Sequence, residues 1–391
     1  YVCPHCGVPW RDVDKNRNVR KGEWQAERPF RGVAGFYINE LYSPFPGSKL
    51  AMLVERYLKA RHALEAGDES DMIVFENSCL GLAYEYRTDV PGEDALRERA
   101  LEYQELSVPA GGLELTVGVD VQHDRLAIIV RAWGRGEESW LVFWGEISAA
   151  RTCIDPKDPV YDELDRFIFG VYQHELGFPI HVSAATIDSS DGQTNDAVYQ
   201  YVRSRRRRGV KIMSGKGESN NLQREIVSPP KKVDLNNKTT KASKYGLQVH
   251  VVGVHKAKDL FFGRLKLEGH GPGRIHFYEH VRSDYFTQVL SEIKAPSRQR
   301  GGRKVYQKKS GVRNEALDCE IYALHAARVM KLHVRKPDQW DAREASLKQG
   351  DLLAPAAPER SAEERPAAKP VQTSKASSEG GSLADIARRM R

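Results

Sequence analysis

The sequence predicts an α/β protein organised around a mixed sheet, on three observations. Three apolar runs, at residues 115–121, 126–133 and 140–147, are separated only by short polar turns. After them, segments of helical periodicity alternate with further apolar runs. The chain has 391 residues, room for two or three domains, and its 40% hydrophobic content with twelve phenylalanines can fill a core. There is no run of 18 apolar residues and no signal peptide, so no membrane span is expected.

From the N-terminus, residues 1–87 read as the end of a mixed α/β domain. Residues 33–41 alternate as a strand does, 48–66 carry helical periodicity, and 72–77 form a short apolar run before a turn. Residues 88–111, with Pro91, Gly92, Pro109 and Gly111 around a charged helical stretch, suit a linker. The central domain is placed at 112–335. Its first three strands should form an antiparallel meander across His123-Asp124-Arg125 and Gly134-Arg135-Gly136. Residues 158–175 read as a helix with Leu164, Phe167, Ile168, Val171 and Tyr172 on one face. A fourth strand at 180–187 closes on Asp188, a helix follows at 195–205, a short fifth strand at 210–213, and a late helix at 314–331. Residues 336–391 are expected to be mostly disordered, since 350–381 are rich in Ala, Pro, Ser and Glu. Residues 383–390 could form one short amphipathic helix.

The order β-β-β-α-β-α-β is that of the RNase H-like fold, and the acids sharpen the match. Nucleases of that fold carry one Asp on the first strand, an acid at the end of the fourth, and another in a late helix. Asp120 sits on the first strand among apolar neighbours, where an Asp is poor for β-propensity and costly to bury. Asp188 ends the fourth strand and opens Ser189-Ser190-Asp191-Gly192. Asp318 lies in the first turns of the late helix. In that fold the first and fourth strands are neighbours, so Asp120 and Asp188 would lie side by side and repel unless a cation sits between them. Each acid also has a plain structural reading. Asp188 could shape an Asx turn, Asp318 could favour a helix N-terminus, and Asp120 could pair with a buried Arg. All three at the three required positions favour metal. Asp124, Asp191, Glu315 and Glu320 are reserve ligands, Glu315 lying one helical turn before Asp318.

The formal net charge is +7, unevenly spread. Residues 201–250 hold thirteen Lys or Arg against three acids. Arg203, Arg205, Arg206, Arg207 and Arg208 form one cluster. Lys231, Lys232, Lys238, Lys241 and Lys244 lie in a polar insertion, and Arg298, Arg300, Arg303, Lys304, Lys308 and Lys309 precede the late helix. Such charge suits a nucleic-acid backbone, bound in a salt-sensitive way with little sequence preference, or is simply a solvated run. Five cysteines make no disulfide framework, and a reducing compartment is the default. Cys3 and Cys6 form one CxxC pair, which reads either as half of a tetrahedral zinc site or as a turn with two free thiols. With Cys79, Cys153 and Cys319 isolated, zinc binding should be weak or absent. The chain opens at Tyr1, directly before that pair, which suggests a piece of something longer.

Several stretches, in order, carry a family resemblance: Cys3-Pro4-His5-Cys6-Gly7 with Gly22-Glu23-Trp24; Gly35-Phe36-Tyr37-Ile38-Asn39-Glu40-Leu41-Tyr42-Ser43-Pro44; Phe75-Glu76-Asn77-Ser78-Cys79-Leu80-Gly81; Gly118-Val119-Asp120-Val121-Gln122; and Arg313-Asn314-Glu315-Ala316-Leu317-Asp318. Across residues 1–335 the chain resembles the large terminase subunit of tailed bacteriophages, the lambda-type group. The resemblance implies an N-terminal packaging ATPase followed by a nuclease. No GxxxxGK[ST] is present, and Ser214-Gly215-Lys216-Gly217 has the wrong spacing, so ATP hydrolysis is not expected of this chain. Residues 1–87 would be the last part of the ATPase. The resemblance further implies two-metal hydrolysis with magnesium or manganese ions about 3.5–4 Å apart. Asp120 would bridge both, while Asp188 and Asp318 each complete a site. Implied partners are double-stranded DNA, the small terminase subunit and the capsid portal, in a motor homo-oligomer inside the host bacterial cytoplasm. Two alternatives stand beside this: another RNase H-like enzyme such as a resolvase or transposase, and a non-catalytic DNA-binding module.

Overall fold

A computed structural model describes residues 2–351 apart from 4, 27–28, 85–89, 207 and 233–247. The chain divides into two compact units. The first is Tyr1–Pro91 with Lys258–Arg274, and the second is Gly92–Ala257 with the residues from Ile275 onward. No helix among the described residues is long and apolar enough to cross a membrane.

The first unit is built on α1 (Asp12–Val19), α2 (Leu50–Glu65) and α3 (Ser70–Val74), the last running into a π-turn over Phe75–Leu80. One expectation fails here. Residues 33–39 are not a strand, because their alternation has no face to bury: Val33, Phe36 and Ile38 are all exposed. A 3₁₀ turn at Glu40–Tyr42 follows, with Asn39 accepting from the Leu41 amide at 3.1 Å. The apolar run at 72–77 is helical, a case that a short run cannot decide by periodicity.

The second unit contains α4 (Glu93–Glu98) and a large sheet of β1 (Ser107–Val108), β2 (Glu114–Val121), β3 (Arg125–Trp133), β4 (Ser139–Ser148), β5 (Val171–His174), β6 (Pro179–Asp188), β7 (Lys211–Glu218), β8 (Lys231–Lys232), β9 (Gln248–Gly253) and β10 (Ile275–His276). Its helices are α5 (Val160–Phe169), α6 (Asn195–Arg205), α8 (Ser283–Val289), α9 (Glu315–Val329) and α10 (Pro337–Asp351); α7 (Val254–Leu265) belongs to both units in sequence. A separate hairpin pairs β11 (Glu292–Pro296) with β12 (Lys304–Lys308).

The sheet order is β10-β4-β3-β2-β6-β7-β9-β8. β2, β3 and β4 form the expected antiparallel meander, and β2, β6, β7 and β9 run parallel. β2 is buried along its whole length, as a strand covered on both faces must be. One face packs under α5 and α6, where Leu164, Phe167, Ile168, Val198 and Tyr201 meet Val117, Ile128 and Val182. On the other face lies α9, a helix buried nearly all round. Gly118 explains how close it comes. A Cβ there would stand 1.9 Å from the Cys319 carbonyl oxygen and 2.6 Å from the Ala323 amide nitrogen, so α9 rests on the bare backbone of β2.

The structure corrects other boundaries. Residues 92–111 are not a linker, since Leu96 and Val108 are fully buried and β1 pairs with β5. The helix expected over 158–175 ends at Phe169. Gly170 is extended, and Val171 exposed beside Tyr172 buried shows a period of two, with β5 pairing β6. The fifth strand runs to Glu218 rather than 213, so the Ser214-Gly215-Lys216-Gly217 segment is plain strand. The unit also extends past 335. α10 is anchored by buried Trp340 and by Arg335 and Arg343 on Glu114, at 2.8 and 3.0 Å. The tail from 352, including the 383–390 helix, lies outside the described residues, as do Arg207, Lys238, Lys241 and Lys244.

Candidate metal centre

Parallel pairing sets Val119 opposite Ile187, which brings Asp120 and Asp188 together at the carboxyl ends of β2 and β6. The close seating of α9 on Gly118 brings in Asp318 from its first turn. Asp120 and Asp188 are buried, at 6% and 9% exposure, and Asp318 is half-buried.

Neutral donors hold each of them. Gln122 Nε2 donates to Asp120 Oδ2 at 2.8 Å. The Ser190 hydroxyl and amide donate to Asp188 Oδ1 at 2.7 and 3.1 Å, and the Tyr322 hydroxyl donates to the same oxygen. Asn314 Nδ2 donates to Asp318 Oδ2 at 2.8 Å. Burial pushes the Asp120 carboxyl well above its usual range, and the charges of Asp318 and Asp188 push it further. Burial also raises Asp188, against the pull of its Tyr322 and Ser190 hydrogen bonds. Each ionised oxygen pair therefore raises the cost of charging the next.

The reserve ligands are spent elsewhere. Glu320, at 1% exposure, is locked to buried Arg131 by bonds of 2.6 and 2.5 Å, with the Tyr285 hydroxyl adding a third. The buried Arg131 thus serves Glu320. Glu315 is gripped by Arg125 at 2.5 Å and by Arg313; burial pushes its carboxyl up, but these guanidiniums outweigh that and hold it below the usual range. Asp124 pairs with Arg125 at 2.8 Å, and Asp191 meets His123 Nε2 at 2.8 Å.

The donor set suits hard divalent cations, which take carboxylate oxygens and offset like charge in a buried site. Among the described residues the three aspartates are not a set with every ligand oxygen within 4.8 Å of the others. The neutral partners Gln122, Ser190, Tyr322 and Asn314 were not anticipated. Two carry a signal, since Asn314 and Tyr322 stand one helical turn before and after Asp318.

The basic groups separate. Arg203 and Arg206 are exposed at the end of α6, but Arg205 and Arg208 bind Asp165 at 3.1 and 2.7 Å and lie over the Tyr201 and Phe169 rings. This cluster stands eleven helical residues from the Asp188 loop, about 16 Å along the axis. Lys231 is exposed on β8 beside Lys232. Arg303 and Lys304 are exposed at the start of β12. At the N-terminus Cys3 and Cys6 are free thiols in a turn, the Cys3 thiol lowered by hydrogen bonds from the Cys6 and His5 backbone.

A sheet of this order, with acids at the ends of its first and fourth long strands and in the helix across its face, has the arrangement of the RNase H-like fold class. Residues 33–340 match the family described as the endonuclease domain of the terminase large subunit gpA, and the chain belongs to that family. It is similar to the large terminase subunit of Escherichia phage lambda, 28% identical over 306 residues, covering 75% of this chain and 43% of the relative. The large terminase subunit of Enterobacteria phage P21 is 25% identical over 345 residues, covering 84% and 48%. The chain thus spans under half the length of these relatives. Among solved structures, the large terminase nuclease of thermophilic phage G20c aligns with a TM-score of 0.33 and 11% identity, covering 60% of this chain and 95% of that one. The same nuclease with bound magnesium gives 0.32 and 10%, covering 61% and 97%.

Proposed function

We propose that the second unit is an endonuclease that hydrolyses double-stranded DNA, with Asp120, Asp188 and Asp318 holding two divalent cations. The observation that carries this reading is convergence: Asp120 and Asp188 are buried, and the charges of Asp318 and Asp188 push the Asp120 carboxyl up, while Glu315 and Glu320 on the helix of Asp318 are taken by arginines. Magnesium or manganese bound there would supply Lewis-acid stabilisation of charge on the scissile phosphate. The chain's own part is to fix the carboxylates. Gln122, Ser190, Tyr322 and Asn314 set the direction of each. Exposed cations such as Arg303, Lys304 and Lys231 would position the DNA backbone without reading bases.

Similarity to the large terminase subunits of two phages supports a place in phage genome packaging, cutting concatemeric viral DNA in the host bacterial cytoplasm. The small terminase subunit and the portal would be partners of the longer protein, and residues 1–87 the end of its ATPase. A plasmid-nicking assay with magnesium tests the core of this reading. Wild type should cut, and Asp120→Ala should abolish cutting while still binding DNA. Equal cutting by both refutes it. Preference for branched over linear DNA would instead favour a resolvase.

A further inference from the structure

The hairpin β11–β12 carries seven Lys or Arg against one acid across residues 292–309. Both strands are largely exposed, and Ile293 is open to solvent, so little apolar burial holds it. An isolated two-stranded ribbon is marginal in water, and its position here depends on polar ties. At its tip Arg300 makes two bonds to Asn220, at 2.9 and 3.0 Å. Its base ends on Asn314. Lys308 Nζ donates to Asn314 Oδ1 at 3.0 Å, and Asn314 Nδ2 donates to Glu292 Oε1 at 3.2 Å and to Asp318 Oδ2 at 2.8 Å.

Asn314 occupies the N-cap of α9, where an Asn side chain ordinarily accepts from a free backbone amide. It makes no such bond. Its amide is used between the hairpin and the carboxylate instead. Only one orientation satisfies all three neighbours, with the oxygen on the ammonium and the nitrogen on the two carboxylates. The Lys308 ammonium polarises that amide and strengthens its N–H groups as donors to Asp318.

We propose that Asn314 is a positioning residue that couples the basic hairpin to Asp318, so that a polyanion seated on the hairpin and the aim of the Asp318 carboxylate depend on one another through a single amide. The proposal rests on the metal-site reading above. Phosphates drawn to the hairpin compete for Lys308, and the change reaches Asp318 through Asn314.

Titration calorimetry of the whole chain with magnesium chloride, without DNA, tests it. Asn314→Ala should weaken magnesium binding about tenfold, the scale of losing a partner that orients a ligand. Lys308→Met sits on an exposed strand and should fold normally. Charge alone predicts tighter magnesium binding when this nearby cation is removed. The coupling predicts the opposite, a loss of about twofold to threefold. The double variant should bind no more weakly than Asn314→Ala. In cleavage assays Asn314→Ala should lower kcat and leave KM for DNA near wild type. Tighter binding by Lys308→Met, or strictly additive losses, overturns the coupling. If Asp120→Ala leaves magnesium binding unchanged in the same titration, the metal site itself falls and the coupling with it. If Asp120→Ala abolishes binding while Lys308→Met tightens it, the metal site stands and only the coupling fails.

Discussion

Helix α9 presents three acids within six residues, and they meet opposite fates. Glu315 and Glu320 reach the start and the middle of β3, where Arg125 and Arg131 wait. Asp318, between them, lies close enough to Asp120 to push its carboxyl up and accepts a hydrogen bond from Asn314. The arginine-bound acids tie the helix to the sheet, whereas Asp318 raises the cost of charging Asp120. The cations divide the same way: Arg205 is committed to Asp165, while Arg303 stands exposed on the hairpin. A charged side chain here takes its role from its partner, so substitutions in the two groups should differ in kind.

The largest effect is expected at the buried pair. Glu320→Gln leaves Arg131 charged and unmatched at 1% exposure and should cost about 3–5 kcal/mol in urea denaturation. An Arg131→Met/Glu320→Met double variant should recover much of that loss. A Glu320→Gln midpoint equal to wild type would erase the distinction between the groups. Gly118→Ala comes next. Its methyl would meet the Cys319 carbonyl, so α9 must shift; about 2–3 kcal/mol of stability should go. Cleavage should fall further than the unfolded fraction accounts for, because Asp318 moves with the helix. Equal losses of fold and activity would show that the seating of α9 does not set the site.

Asp120→Asn should do the reverse of Glu320→Gln: abolish cutting and stabilise the fold. The folded carboxyl titrates above its ordinary value. Such an acid contributes stability that is present below the unfolded value and is lost as pH rises through the folded one. Wild type is therefore penalised at neutral and alkaline pH. In EDTA the variant should melt roughly 2–4 °C higher at pH 8, about 1 kcal/mol, with the gain fading toward pH 4. A gain that grows on acidification would contradict the repulsion. The smallest effect concerns the cations. Arg303→Ala should reduce the slope of log affinity for DNA against log salt by about one and leave stability unchanged. Arg205→Ala should lower stability by roughly 1 kcal/mol and leave that slope alone. Matching slopes for the two would mean that the Asp165 pairing does not withdraw Arg205 from DNA.

Several elements were legible because local pattern settles them. The meander at β2–β4 follows from apolar runs with turns too short for anything but hairpins, and α6 from its single apolar face. Residues 158–175 were misread because Val171 and Tyr172 fit a helical face as well as a strand, and β6 decided between them. Asp120 stood out as an acid on an apolar strand, where propensity opposes it, and Asp188 and Asp318 through the positions that the strand order gives to acids. Gln122 and Ser190 did not, because neutral polar residues break no rule wherever they fall, whereas Asn314 and Tyr322 carry only the weak signal of helical spacing from Asp318.

The sequence by itself determined the β2–β4 meander, the three aspartates' places along the chain and the separate stretches of positive charge, since each depends on neighbours in the chain. Tertiary structure decided which acids are paired, that Arg131 serves Glu320 rather than Asp120, and which cations remain exposed. Those outcomes are set by partners up to about two hundred residues away, as with Arg131 and Glu320 at a separation of 189. Charge pairing depends on distance through space, and no periodicity in the chain encodes that distance.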